Sequence, residues 1–462
     1  MAVLRLAARW LVPIAAPPVE DGAVLVGADG RVVAAGHAAD VPWPSGATAL
    51  DLGDAAILPG LVNTHTHLEL TALRGLVRGL RFPHWVAAVR RLKDALTPED
   101  FRAAARWGVL ESFAAGITAH GDTGSTGAAA AALAALGARG VAYQEVFGPD
   151  PADADEAVRG LEAAVEALLR FGSERLAVGV SPHAPYTVSD PLLRAVVALA
   201  GRRGWPIAMH LAESPEEDRY VRHGDGPFAE ARRRQGIDVP ARGCSPVAWV
   251  RRAGLLELRP LLIHCVTTDG DDAVTIAKHG AAIAHCPWSN AVLHNGRADL
   301  ALFRRLGVTV GVGTDSVAAG GGLDLFREMR LAALACPLTP REMLRLATAD
   351  AAAALGLSGS GFLAPGSWGD VCVVGFRAPA LAAAGDPEEA VALGATPADV
   401  VLSAVAGHVV YRDGAWPDVD AGIERQALER AASRARAATA ASDVSRAPDV
   451  PIFSPTARSD RP

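Results

Sequence analysis

Two histidines one residue apart, His65 and His67, close the apolar run ILPGLVNTHTHLEL. In a strand, residues i and i+2 face the same side. Both imidazoles can therefore reach one metal ion from the end of that strand. The pair alone is a weak signal, because His-x-His recurs by chance. Its company strengthens it. His210 ends PIAMHLAES, His264 ends LLIHCVTT, His285 sits in AAIAHCPWSN and Asp315 in VTVGVGTDS. Each falls at the C-terminal end of an apolar run with strand character. Taken singly, a buried histidine can be merely hydrogen-bonded, and Asp315 could cap a loop. Five separate strands delivering His or Asp at the same end is the pattern of a metal site.

Glu213 stands three residues after His210, in H-L-A-E. If His210 is a ligand, Glu213 is close enough to touch metal-bound water without binding the metal, the position a proton shuttle needs. The competing role is a helix-start carboxylate, since ESPEED follows. His183, in SPHAPYTVS, also ends a strand and is expected to contact substrate. His84, in FPHW, follows the first of these strands and could reach over the mouth. His37, His223, His279, His294 and His408 have no comparable context and are expected to be surface or structural. Cys265 and Cys286 each follow a strand-end histidine and so point away from it, as buried packing residues.

Short apolar runs with strand character fall at 57–64, 116–121, 141–147, 176–182, 206–212, 260–266, 281–286 and 308–314. Stretches with helical spacing lie between them. One is DPLLRAVVALAGRRG, opened by Ser189-Asp190-Pro191 and closed at Gly204. Eight strands, most followed by a helix, predict an α/β (β/α)8 TIM barrel. No GxGxxG follows the first strands, so a nucleotide-binding Rossmann sheet has no support. VEDGAVLVGADGRVVAAG predicts a strand, an Asp-Gly turn and a strand, which favours a β-hairpin start over a secretion signal. GFLAPGSWGDVCVVGF and AGHVVYRDG predict further strands near the other end. The expected organisation is a small β-sandwich domain built from 1–58 and 363–418, a barrel over 59–362, and a terminal helix (423–441) with a Pro-rich, mobile tail over 419–462.

The chain has 462 residues and a net charge of 44 minus 51, or −7. Half of it is hydrophobic and 21% charged, which excludes a disordered chain. Mild acidity argues against nucleic acid as the main partner. No apolar run approaches the ~20 residues of a membrane helix. Five dispersed cysteines without a CxxC predict no disulfide framework and a cytoplasmic setting.

PGLVNTHTHLEL, SPHAPYT, HLAES, IHCVTT, HCPWSN and GVGTDS, in this order, resemble the amidohydrolase superfamily. The similarity is to its cytosine-deaminase-like aminohydrolases and chlorohydrolases, over about residues 1–415. The resemblance implies one divalent ion per chain held by His65, His67, His210 and Asp315. Zn²⁺ is the expected ion, with Fe²⁺ or Ni²⁺ as alternatives. It also implies Glu213 as acid/base, Asp315 as a proton carrier and His264 beside the hydrolytic water. Dihydroorotase-, urease- and hydantoinase-like members bridge two metals with a carboxylated lysine from a middle strand. This chain has only Lys93 and Lys278, so that bridge cannot be built. Glu145, in AYQEVFG, is the one mid-strand carboxylate that could bridge two ions instead.

Within the superfamily, NTHTHLELTALRG, FPHWVAAVR, QEVFG and GTDS resemble the aminodeoxyfutalosine deaminases of menaquinone biosynthesis. SPHAPYT and HLAES are shared with the S-adenosylhomocysteine/methylthioadenosine deaminases. The resemblance thus implies hydrolytic removal of ammonia from a 6-aminopurine nucleoside-like small molecule. Aminodeoxyfutalosine is the first expectation, and S-adenosylhomocysteine, methylthioadenosine or another heteroaromatic C–N or C–Cl bond the alternative. A homodimer would be a common form for such an enzyme.

Overall fold

The computed structural model describes residues 3–382 and 385–441. Eight parallel strands form its centre: Leu61–Thr66, Ile117–Gly124, Arg139–Val146, Leu176–Pro182, Ala208–Leu211, Leu261–His264, Ala282–His285 and Val310–Val312. They pair in chain order as two four-stranded sheets. A parallel bridge between Val180 and Ile207 joins the sheets on one side. On the other, the Asp315 amide donates to the His65 carbonyl at 3.0 Å. The strands thereby close into the barrel. Their inward residues Val62, Ala119, Val141, Tyr143, Ala208, Leu261, Ile263 and Ala284 form one buried cluster with Ala351, Ala352 and Leu355.

Closure explains two glycines of GVGTDS. A Cβ on Gly313 would lie 2.8 Å from the His65 amide nitrogen, and one on Gly311 would lie 2.3 Å from a Thr64 methyl. Both positions need the bare backbone for the eighth strand to approach the first.

The apolar run at 57–64 is two strands, not one. Ala55–Pro59 belongs to a different sheet, and Leu61–Thr66 opens the barrel. The run is unbroken because Ala55–Pro59 is buried on both faces: Ala55 and Ile57 line one core, Ala56 and Leu58 the other. Its sheet runs in the order His408–Arg412, Val400–Val405, Val371–Gly375, Ala55–Pro59, Leu4–Leu11, Val19–Val26, Val32–His37, with Thr48–Asp51 also pairing with Leu4–Leu11. Antiparallel pairing of Ile57 with Val373 ties the two ends of the chain together. The result is a β-sandwich domain from both chain ends, with a core of Leu6, Leu11, Val24, Ile57, Val373 and Leu402. The strand Val400–Val405 was not among the sequence expectations, which started this region at AGHVVYRDG.

A buried ion pair anchors this domain to the barrel. Arg139 Nε lies 2.5 Å from Asp370 Oδ2, and its guanidinium stacks 4.0 Å over the Trp368 ring. The expected helix after Ser189 spans Asp190–Arg203 and ends at Gly204 (φ 65°), although the Ser189 hydroxyl makes no capping bond. The terminal helix spans Ala421–Ala441 and packs on Pro98–Ala114 through Arg106 with Glu424 and Arg434 with Asp100. The tail expected after it, 442–462, lies outside the described residues. Among the described residues, no helix is long and apolar enough to cross a membrane.

Candidate active site

The strand ends bring His65, His67 and His210 together, with one ring nitrogen of each within 4.8 Å of the others. Asp315 joins them: its Oδ1 is 3.6 Å from His65 Nε2 and 3.5 Å from His67 Nε2. The outer ring nitrogens fix the orientation. His210 Nδ1 faces the His183 carbonyl at 3.1 Å, and His67 Nδ1 faces Thr123 Oγ1 at 3.2 Å. A carbonyl only accepts, so His210 carries its proton on Nδ1 and turns a lone pair inward from Nε2. Asp315 is held by the Ser289 hydroxyl and the Ser316 amide, each at 2.5 Å.

The cluster fits a divalent cation. His65 is fully buried, yet neither ring nitrogen has a hydrogen-bond partner. Such a group is costly to bury unless something occupies its lone pair. Protonation is set correctly as well. Burial holds the His67 imidazole down at about 3 and His210 well below its ordinary range, reinforced there by His183, His65 and His67. Burial works to raise the Asp315 carboxyl, but the surrounding His65, His67 and His264 rings keep it below the usual carboxylate range. Neutral imidazoles around an ionised carboxylate are the state a metal requires.

Glu213 and His264 form a second pair beside this cluster, with Glu213 Oε1 3.4 Å from His264 Nε2. Burial, and then the charges of Asp315 and Glu217, push the Glu213 carboxyl well above its ordinary value. Its neutral form is thereby favoured over the carboxylate. Burial lowers His264 to about 4. His183 also faces the cluster, its ring 4.8 Å from that of His210. Its Nδ1 lies 2.9 Å from Thr187 Oγ1. That hydroxyl donates to the Ala184 carbonyl, so His183 donates to it and presents Nε2 as an acceptor. Burial holds His183 well below the ordinary imidazole range.

Glu145 lies here too, with one oxygen near His183 and His210 nitrogens. Its Oε1 is buried without a partner, and burial, opposed by Lys93, pushes the carboxyl up to about 7. A simultaneous second ion is poorly served. His210 has one free ring nitrogen, and the His65–His67 group already uses it. His285 is buried with both ring nitrogens unpartnered, and no potential ligand group among the described residues includes it. His84 is exposed, in the helix Phe82–Asp94. The same helix sends Phe82 against Tyr186 and Phe228, and Tyr186 lies edge-on to His183. The FPHW segment thus reaches the site through Phe82 rather than through its histidine. Cys265 and Cys286 are fully buried, and all five cysteines are free.

Several residues of the site had no expectation attached. Ser289, Asn290, Asn295, Thr123 and Thr187 all hold site groups but are ordinary polar residues in sequence. The HCPWSN motif contained two of them. A partly buried network joins Lys93 to Glu69 (3.0 Å) and Ser125 (3.0 Å). The two-lysine composition was its one available signal. His120, fully buried on the second barrel strand, was also overlooked.

A closed eight-stranded barrel with a histidine–aspartate cluster at its strand ends, carried beside a sandwich made by both chain ends, defines a class of barrel hydrolases. The chain belongs to the amidohydrolase family, whose model matches residues 56–410, and it is an aminohydrolase of that family. It is 34% identical over 420 residues to a 5-methylthioadenosine/S-adenosylhomocysteine deaminase from Nitratidesulfovibrio vulgaris (strain DSM 19637 / Miyazaki F), covering 87% of this chain and 90% of the relative. An adenosine deaminase from Xanthomonas campestris, solved with bound zinc, superposes with a TM-score of 0.83 at 26% identity, covering 94% of this chain and 99% of its own. Helicobacter pylori aminofutalosine deaminase shares the fold, with a TM-score of 0.74 at 21% identity over 88% of this chain and all of its own (100%).

Proposed function

We propose that the protein is a metal-dependent hydrolytic deaminase of a 6-aminopurine nucleoside, with methylthioadenosine or S-adenosylhomocysteine as the favoured substrates. One observation carries the chemistry: a buried Glu213 stands 3.4 Å from His264 beside the His65–His67–His210–Asp315 cluster. The substrate class rests on the curated relative. The aminodeoxyfutalosine expectation rests on short motifs, since likeness to the Helicobacter enzyme extends to fold alone.

His65, His67, His210 and Asp315 would hold one ion, with zinc favoured by redox-free hydrolysis. When bound, a divalent ion lowers the pKa of water towards ~7, supplying a nucleophile near neutral pH. The chain's own groups manage the protons. Glu213 donates to the ring nitrogen beside the amino-bearing carbon, which makes that carbon electrophilic. Asp315, ionised, accepts a proton from the attacking water, with His264 orienting its oxygen. A C–O bond forms, the ring passes through a tetrahedral carbon, and Asp315 returns the proton to the amino group. The C–N bond breaks, ammonia leaves, and Glu213 is reprotonated by the new hydroxyl as the oxo form appears, the ring nitrogen keeping the proton it received. His183 Nε2, an acceptor, meets an N–H or O–H of the substrate. Their surroundings push the two carboxyls in opposite directions, Glu213 up and Asp315 down, as this division of labour requires.

Ammonia release should be measured with zinc-loaded protein against methylthioadenosine, S-adenosylhomocysteine, adenosine and aminodeoxyfutalosine. The highest kcat/KM is expected for one of the first two. Preference for aminodeoxyfutalosine would replace the substrate, and no ammonia from any of the four would overturn the 6-aminopurine reading.

A further inference from the structure

One short segment reaches Asp315, His264 and Glu213 together. It begins with the helix Pro287–Val292, after the seventh barrel strand. The Ser289 hydroxyl donates to Asp315 Oδ2 at 2.5 Å. Asn290 Oδ1 lies 2.8 Å from His264 Nδ1. Asn295 Nδ2 donates to Glu213 Oε1 at 3.3 Å. All three side chains are buried. The segment is itself tied down: the Trp288 amide donates to the buried Glu328 at 3.0 Å, Arg327 stacks 4.5 Å over the Trp288 ring, and the Asn295 amide returns to the Asn290 carbonyl at 2.9 Å.

The Asn290 contact has a consequence for His264. An amide oxygen only accepts, so the proton of the neutral imidazole sits on Nδ1. Nε2 then carries a lone pair, aimed at Glu213 Oε1 3.4 Å away. The opposite tautomer would place an N–H there and remove the acceptor. The backbone at His264 (φ 75°) and Cys265 (φ 49°) is in the left-handed region, which persists only where surrounding contacts hold it.

We infer that Asn290 is a positioning residue that selects the Nδ1–H tautomer of His264, and that Ser289, Asn290 and Asn295 align Asp315, His264 and Glu213 as one unit. This rests on the roles proposed above for those three groups. The tautomer is testable without them. ¹⁵N NMR of the imidazoles in the zinc-loaded wild-type protein, with His264 assigned by loss of its signal in His264→Gln, should show a protonated Nδ1 and an unprotonated Nε2. An Nε2–H signature would overturn the inference, whatever the activity.

Variants extend the test. Asn290→Ala should keep its metal and a near-wild-type KM while kcat falls between about 10²- and 10⁴-fold, the range for a displaced or wrong-tautomer general acid–base group. Asn290→Asp, which retains the acceptor, should restore part of that loss and keep the Nδ1–H signature. Wild-type kcat in Asn290→Ala, or loss confined to KM, would overturn the positioning role. If Glu213→Gln remained active while the Nδ1–H tautomer stood, the proposed chemistry would fail and the assignment of Asn290 would survive.

Discussion

The two halves of the barrel are built differently. The first four strands have 6, 8, 8 and 7 residues; the last four have 4, 4, 4 and 3. Among the described residues of the first-half strands, no non-glycine backbone enters the left-handed region. In the second half Ala212, His264, Cys265 and Asp315 all do, with φ between 49° and 75°. Such positions cost about 1–3 kcal/mol each and persist where surrounding contacts over-determine them. The long, relaxed half delivers His65 and His67 by simple strand alternation. The short, bent half turns Glu213, His264 and Asp315 into the mouth and holds them by side-chain bonds. The cluster draws His65 and His67 from the first half and His210 and Asp315 from the second, while Glu213 and His264 come from the second alone.

The sharpest break in that division sets His67→Ala against Glu213→Gln. His67→Ala should reduce activity to background and bound metal well below one equivalent per chain. Glu213→Gln should keep its metal and its substrate affinity and lose about 10²–10⁴-fold in kcat. Metal analysis beside steady-state kinetics separates the two. Full metal in His67→Ala would remove that residue from the ligand set. Near-wild-type turnover in Glu213→Gln would end its role as acid.

His183 lies between the halves and tests the boundary. His183→Ala should retain metal and lose about tenfold or more in kcat/KM, through the missing acceptor for a substrate donor. Loss of the ion would make His183 a ligand. A second equivalent of metal in the wild type that disappears in Glu145→Gln would show that Glu145 helps to hold a second ion.

The contrast between the halves also marks what sequence could show. Apolar runs ending in His or Asp revealed the strands and the residues gathered at their ends, because burial and polarity change together there. Strand length in the second half was not legible: 206–212 reads as one run, but the backbone turns out at Ala212. The run at 57–64 hid a change of sheet, since Ala55–Pro59 and Leu61–Thr66 are both buried on every face. Ser289, Asn290 and Asn295 were invisible for another reason. Their importance lies in which atom they touch, and Ser or Asn in a short helix or the loop after it has no periodicity to betray it. Lys93 was read through its rarity alone, and its burial against Glu69 required the structure.

That network supplies a first-half test of fold rather than chemistry. Lys93→Met leaves Glu69 buried at 1% side-chain exposure with no cation beside it. Removing one partner of such a pair costs about 3–5 kcal/mol. Thermal unfolding should register the loss, while metal content at low temperature stays near wild type. A stable variant lacking metal would show that Lys93 serves the ion site instead of the scaffold.

The smallest effect belongs to Glu217, beneath the second half. Its oxygens accept the Ala212 amide at 2.6 Å and the Glu213 amide at 3.0 Å, so it braces the bend that carries the acid. Burial pushes its carboxyl from 4.5 up to about 8, against those two bonds. A raised pKa in the folded state means that the native protein binds more protons than the unfolded chain between those values. Its contribution to stability is therefore complete below about 4.5 and declines as pH rises through about 8. Glu217→Gln cannot titrate and removes that slope. The melting temperature of the variant relative to wild type should rise steadily from pH 5 to 8, whatever the fixed offset from its altered hydrogen bonding. A difference independent of pH would show that Glu217 is ionised in the folded protein, and the bend would then be braced by a buried carboxylate.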